Sequence, residues 1–284
     1  MPRPLPLVIA LGLVTASLPA AARVPVPAFQ PVLVQLPGER EPDLLGGWAA
    51  GWLTPPQAAR RLTAPLNLHA RTLTGPASPV RTGPARSFGD PCPDAWAVPV
   101  QPARALNAFQ VFTGPGVTVR PRPVTALPTG NATYRALVAQ ELKRRGVANP
   151  DVRLRGVTRV DLNGDGRDEV LLEAWRFPGS PAFPPPVGDP GDYSVLLLRQ
   201  VVGGRAVTQV LAAHVAPAAR WDPGSDQPMP MATLHRLAGV ADLNGDGRME
   251  LLLYGAYYEG YALTAAEWTP TGGLRPRLEA GCGV

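Results

Sequence analysis

The sequence predicts a mainly β protein with a β-rich N-terminal region, one α-helix and two antiparallel meanders at the C-terminal end. Three observations favour this fold class. Pro and Gly contribute 36 and 30 of the 284 residues and break helices, while 45% hydrophobic residues indicate a packed core. One motif occurs twice, and each copy runs into a short apolar segment typical of a strand. A Gly-Gly pair, typical of a hairpin turn, follows each copy further along.

Residues 1–22 have the features of a secretory signal peptide. Arg3 provides the basic start, residues 5–18 an apolar stretch too short to span a bilayer, and residues 20–22 a small-residue cleavage site. The formal net charge of +5 loses one unit with Arg3, and the basic residues are scattered rather than clustered as in a nucleic-acid-binding surface. We therefore expect a secreted or periplasmic protein with no nucleic-acid partner and no transmembrane segment after signal cleavage.

The chain contains two cysteines, Cys92 and Cys282. In an exported protein this number favours a single disulfide, which would join the N-terminal region to the extreme C-terminus. The alternative is a pair of buried free thiols, which export makes less favourable.

Residues 23–130 form the β-rich N-terminal region, whose type the sequence does not identify. Residues 31–36, 66–73 and 105–112 have the composition of strands, and residues 57–62 after Pro55-Pro56 suggest a short helical stretch. The region contains no phosphate-binding loop, zinc-ligand spacing or nucleophile elbow.

Residues 131–150 are predicted to hold a helix and a linker. An apolar stripe runs through residues 132–145, Asn131 or Thr129 can cap the start, and Gly146 follows at the C-terminal cap position. Basic residues in the last turn suit the negative end of the helix dipole.

Residues 151–284 carry the duplicated motif. Each copy places oxygen-bearing groups at loop positions 1, 3, 5, 7 and 9, the seventh being a backbone carbonyl. The first copy comprises Asp161, Asn163, Asp165, Arg167 and Glu169, and the second Asp242, Asn244, Asp246, Arg248 and Glu250. Calcium takes six to eight oxygen ligands, and glycines within each loop permit the tight backbone path around an ion. The motif therefore predicts two Ca²⁺ sites.

An EF-hand does not fit these loops. Position 12 of that motif is a bidentate Glu, but Leu172 and Leu253 stand there, and strand-like rather than helix-like segments follow. The loops instead resemble the FG-GAP (VCBS-type, integrin-propeller-like) calcium repeats, in which a DxDxDGxxD loop enters a buried strand. The resemblance covers residues from about 150 onward and implies propeller-blade-like meanders whose loops hold calcium.

The two units align beyond the loops. Tyr193 is matched to Tyr261, and most of the extra length of the first unit is a Pro/Gly-rich insertion at residues 177–192. Two blades do not close a propeller. Either residues 23–130 conceal degenerate blades, or the two meanders pack on each other and on a separate N-terminal β region. The lack of a repeat upstream favours the second arrangement.

Three functions remain open. The first is a secreted calcium-binding β-repeat protein with a binding or structural role at the cell envelope, and a glycan or protein partner. The second is an exported hydrolase with its active site in the N-terminal half, although no residue pattern requires catalysis. The third is a docking module whose insertion contacts a partner. Four tyrosines between residues 254 and 261 offer a binding surface, but core packing is the favoured explanation for them.

Overall fold

The computed structural model describes residues 29–115, 119–177 and 183–283, so the predicted signal peptide at residues 1–22 lies outside the described residues. Within those ranges the protein is mainly β, with three antiparallel sheets and two helices. The fold class predicted from the sequence is confirmed at this level. The domain boundaries and the propeller-blade interpretation stay predictions.

The N-terminal region forms a curled sheet of nine strands. Its path runs β6-β7-β2-β1-β9-β4-β5-β8, with β3 paired to β2 beside it. The strands are β1 (Gln30–Gln35), β2 (Asp43–Trp48), β3 (Trp52–Leu53), β4 (Asn67–Arg71), β5 (Ser78–Thr82), β6 (Arg86–Ser87), β7 (Trp96–Ala97), β8 (Val100–Gln101) and β9 (Gln110–Thr113). Two predicted strands coincide with β1 and β4. The prediction for residues 105–112 is wrong in its first half, because only the end of that run enters β9.

The first meander is a five-stranded sheet in the order β10-β11-β12-β13-β14. The strands are β10 (Val124–Ala126), β11 (Leu154–Val160), β12 (Glu169–Arg176), β13 (Tyr193–Val202) and β14 (Arg205–Val215). Gly203 and Gly204 make the two-residue turn between the last two strands, with φ of 56° and 77°. The second meander has four strands in sequence order: β15 (Leu234–Ala241), β16 (Glu250–Tyr257), β17 (Gly260–Thr269) and β18 (Gly273–Gly283).

Two helices flank the sheets, where the sequence predicted one and a short helical stretch. Helix α1 (Pro55–Ala59) is the short one, with Thr54 at its N-cap. Helix α2 (Ala132–Arg144) begins at Asn131, whose side chain accepts a hydrogen bond from the Tyr134 backbone N–H at 3.2 Å. Gly146 follows the helix with φ of 96°, a left-handed conformation that glycine adopts without steric cost.

The helices and sheets form a stack of layers, and a hydrophobic cluster lies between each pair of neighbouring layers. Helix α2 covers one face of the first meander, and the other face of that meander packs on the second meander. The second meander packs in turn on the N-terminal sheet, whose far face is covered by α1. Side-chain alternation along β16 shows the double burial, since Leu251 faces the first meander and Leu252 faces the N-terminal sheet. The meanders therefore pack on each other and on a separate N-terminal sheet, as the favoured prediction had it.

The register corrects the proposed alignment of the two units. Arg176 and Tyr257 lie at equivalent positions in β12 and β16. Their paired residues on the next strand are Tyr193 and Gly260. Tyr193 therefore corresponds to Gly260 rather than to Tyr261. A shift of one residue moves a strand's side chains to the opposite face, so the shared tyrosine was a misleading marker.

The disulfide between Cys92 and Cys282 is present, with a Cα–Cα distance of 5.5 Å across 190 residues of sequence. It ties the loop between β6 and β7 to the last strand of the second meander. The predicted pairing is confirmed.

Candidate metal centre

The two DxNxDG loops have the same internal hydrogen bonds. In the first loop the Asp161 carboxylate accepts from the backbone N–H groups of Gly164 (2.7 Å) and Gly166 (3.0 Å). In the second loop Asp242 accepts from Gly245 (2.7 Å) and Gly247 (2.9 Å). These four glycines have φ between 76° and 86°, the left-handed region that lets the chain curl around the first aspartate.

Further bonds shape the outer half of each loop. Asn163 and Asn244 accept from the backbone N–H two residues on, at 2.9 Å in both loops. The carboxylates at position 5 accept in the same way from the backbone N–H of Arg167 and Arg248, at 2.8 Å. Both arginine side chains are exposed. The predicted ligand role of their backbone carbonyls stays a prediction.

The glutamate at position 9 begins the strand after each loop, and its side chain bonds back to loop position 2. Glu169 accepts from the Leu162 backbone N–H at 2.9 Å, and Glu250 from that of Leu243 at 2.7 Å. Both glutamates are buried, with 3% and 1% of their surface exposed. Each glutamate thus joins the end of its loop to the beginning through a hydrogen bond, and its carboxylate is shielded from water.

Burial and repulsion disfavour the charge on these glutamates. Desolvation, opposed by the Leu162 hydrogen bond and helped by the charges of Asp165 and Asp161, raises the pKa of Glu169 to about 7. Desolvation likewise raises the pKa of Glu250 to about 8, with Asp242 and Asp246 acting in the same direction. Three carboxylates of each loop therefore lie close enough to repel one another.

The fit to a cation rests on the second loop. The Oε1 atom of Glu250 is buried and has no hydrogen-bond partner, which is costly for a carboxylate oxygen. A hard divalent cation would supply the missing interaction and offset the repulsion. In the part of the chain that the structure describes, however, no three His, Cys, Asp or Glu side chains are grouped closely enough to hold a metal ion as they stand. The donor set suits calcium, and the ligand geometry stays a prediction.

Sequence reasoning missed the segment that supports both loops from outside. Arg122 donates from Nε to the Asp161 carbonyl at 2.5 Å and from Nη2 to the Leu162 carbonyl at 2.9 Å. Three residues earlier, the Val119 carbonyl accepts from the Asp242 backbone N–H at 2.8 Å. This short segment, residues 119–122, therefore contacts one loop with each end. It lies in a Pro-rich stretch that carries no sequence signal for the role.

The two loops also contact each other. The Met249 backbone N–H, at position 8 of the second loop, donates to the Leu162 carbonyl of the first loop at 2.9 Å. Leu162 and Met249 are buried together in the cluster between the two meanders. Because the loops share this hydrogen bond and this cluster, a change in the conformation of one loop alters the contacts of the other.

Two histidines and the tyrosine group are the other candidate functional residues, and the most buried of them have roles in packing. Burial and the neighbouring His214 lower the pKa of His235 to about 4, and burial lowers the pKa of His214 as well, which favours the neutral form of both side chains. Tyr254 lies in the core between the second meander and the N-terminal sheet, whereas Tyr257 and Tyr258 are half-buried. Core packing thus accounts for the most deeply buried member of the tyrosine group.

The chain matches no protein-family model, no curated protein sequence and no solved structure. The resemblance to FG-GAP repeats therefore depends on the loop residues and the meanders described above. Among the described residues, neither helix is long and apolar enough to cross a membrane.

Proposed function

We propose that this chain is a secreted or periplasmic calcium-binding protein in which two FG-GAP-like loops hold two meanders in place. The observation that carries the proposal is the buried Glu250, whose Oε1 atom has no hydrogen-bond partner and whose charge is opposed by two aspartates of the same loop. The first loop has the same hydrogen bonds and the same buried glutamate. A cation in each loop would remove the repulsion between its carboxylates.

The role that suits this arrangement is structural or binding. Both loops lie where the two meanders meet, and residues 119–122 contact both. An ion there would stabilise the junction on which the stacked sheets depend. The disulfide fits an exported protein, since such bonds persist in oxidising compartments. A glycan or protein partner at the cell surface remains part of the proposal.

Calorimetric titration with CaCl₂ and thermal melting in calcium or chelator test this assignment. Because calcium binds the folded loops, it should raise the melting temperature in a concentration-dependent way, with an affinity as weak as about 10⁻⁴–10⁻³ M. Asp161→Ala and Asp242→Ala should each remove part of that increase, and the double variant nearly all of it.

The matched control is Asp168→Ala. Asp168 lies in the first loop but is exposed and pairs with Arg159 at 3.1 Å, so the calcium-dependent increase should survive its loss. Melting each variant in chelator separates loss of calcium binding from loss of folding. No saturable calcium binding at millimolar concentration, with melting unchanged by chelator, would overturn the proposal.

A further inference from the structure

A second candidate site lies away from the loops, where the N-terminal sheet meets the second meander. A cavity of about 340 Å³ opens there, within the size range of small-molecule sites. Its lining comes from both sheets and from the insertion of the first meander, which contributes Phe183. None of the ten predicted metal-loop residues lines it.

The charged floor of the cavity is acidic. Asp43, in β2, is only 9% exposed, and its Oδ2 atom accepts a hydrogen bond from the Tyr261 hydroxyl at 2.7 Å. Burial, opposed by the Tyr261 hydrogen bond and helped by the nearby charge of Glu39, raises the pKa of Asp43 to about 7. A cation beside Asp43 would stabilise the ionised carboxylate, which burial otherwise disfavours.

The other charges around the cavity are already compensated. Glu41 receives two hydrogen bonds from Arg86, at 2.6 and 2.8 Å. Arg236 lies 3.4 Å from Glu173, and its guanidinium stacks over the Phe109 ring at 4.9 Å from the centroid. Asp43 and Glu39 thus remain as the charges that can meet a ligand, and both are negative.

Aromatic rings form the walls. Phe88 and Phe183 line the cavity, and 41% and 37% of their surface is exposed, which is unusual for large apolar side chains. Tyr254 and Tyr261 stack with ring centroids 6.1 Å apart on another side. Aromatic faces attract organic cations and cover their apolar parts.

We propose that this cavity binds a small organic cation, an ammonium group on an apolar body, with Asp43 as its counter-ion and the aromatic walls around it. The inference is independent of the calcium proposal. A small free amine and a lysine side chain both carry an ammonium group on an apolar body, and the cavity is large enough for either.

The test compares three probes of similar shape by calorimetric titration in chelator, which keeps the calcium loops out of the measurement. These are 2-phenylethylammonium, the neutral 2-phenylethanol and the anionic phenylacetate. Saturable binding of the cation, at least tenfold tighter than either analogue, is expected. N-acetyl-lysinamide serves as a fourth probe, and whichever cation binds more tightly assigns a free amine or a protein side chain as the source.

Variants locate the site. Asp43→Asn keeps an acceptor for Tyr261 and should weaken binding of 2-phenylethylammonium at least tenfold. Glu39→Gln, at an exposed position that cannot disturb the core, should weaken it several-fold. Asp226→Asn makes the same chemical change at an exposed residue outside the cavity and should change nothing. Equal binding of 2-phenylethanol, no saturable binding of either cation, or full affinity in both Asp43→Asn and Glu39→Gln would overturn the proposal.

Discussion

At the scale of single residues, the most informative group is a buried carboxylate outside the loops. Asp43 lines the cavity together with Glu39, Glu41 and Arg236. The Tyr261 hydroxyl donates a hydrogen bond to it and, besides burial, its charge contributes to raising the pKa of Tyr254. The Asp43 folded-state pKa of about 7 lies above the ordinary value of 3.8. The folded state therefore binds this proton more tightly than the unfolded chain does.

This shift predicts a pH dependence of stability. A carboxyl whose pKa is raised by folding contributes its full stability below about pH 4, and the contribution is lost as pH rises through about 7. The loss from Asp43 is of the order of a few kcal/mol. Asp43→Asn should therefore be more stable, relative to the wild type, at pH 8 than at pH 5. Guanidinium unfolding at both values checks this, and Asp226→Asn should follow the wild type. An identical difference at both pH values would contradict it.

Arg122 gives a second prediction at this scale. Its guanidinium holds the carbonyls of Asp161 and Leu162, and Nε also lies 3.7 Å from the Asp161 carboxylate. Arg122→Gln should cost about 1–3 kcal/mol in the free energy of unfolding, because charged hydrogen bonds to a partly buried loop are lost.

Arg167→Gln is the matched control for this change, since that side chain is exposed in the same loop. Denaturant unfolding in chelator compares the two. Equal stability of both variants would show that Arg122 does not hold the loop.

At the scale of elements, the second meander is the most constrained part of the molecule. It is buried on both faces, between the first meander and the N-terminal sheet. The middle of β16, Leu251–Leu253, is accordingly apolar at consecutive positions, as expected for a strand covered on both faces. The edge strand β18 keeps charged, exposed residues. Small residues are needed where the neighbouring sheet approaches closely.

Gly239 in β15 marks the closest such approach. A Cβ atom there would lie 2.6 Å from the Val111 Cγ2 atom of β9, in a core with little freedom to move. Gly239→Ala should destabilise the protein by about 1–3 kcal/mol through overpacking. Gly255→Ala is the control in the adjacent strand, because its Cβ would meet only the His235 Nδ1 atom at 3.7 Å. Thermal melting distinguishes them, and similar melting temperatures would contradict the close-packing argument.

At the scale of the whole molecule, long-range contacts join the N-terminal sheet to the C-terminal meander. They include the apolar cluster between the two sheets, the Asp43–Tyr261 hydrogen bond and the disulfide from Cys92 to Cys282. Closing a loop of 190 residues restricts the unfolded chain much more than the folded one.

The Cys92→Ala/Cys282→Ala variant should therefore lose about 2–5 kcal/mol in the free energy of unfolding. Guanidinium unfolding with and without reductant measures this loss. Reductant should lower the midpoint of the wild type and leave that of the double variant unchanged. A wild-type midpoint that is insensitive to reductant would show that the disulfide does not contribute.

Local chemistry made much of this structure predictable. The spacing of Asp, Asn and Gly determines the curl of each DxNxDG loop, because the bonds involved span only two to five residues. Asn131 and Gly146 bound helix α2 for the same reason, since caps act on their own turn. The disulfide was predictable because only two cysteines exist.

Tertiary contacts decided the rest. The register that aligns Tyr193 with Gly260 depends on strand pairing, which no single strand encodes. Arg122 reaches its loop across 39 residues of sequence, and the Asp43–Tyr261 hydrogen bond joins residues 218 apart. By itself the sequence therefore determined the candidate calcium loops, whose bonds are local. Only the packing of the sheets produced the acidic aromatic cavity, because its residues come from three separate parts of the chain.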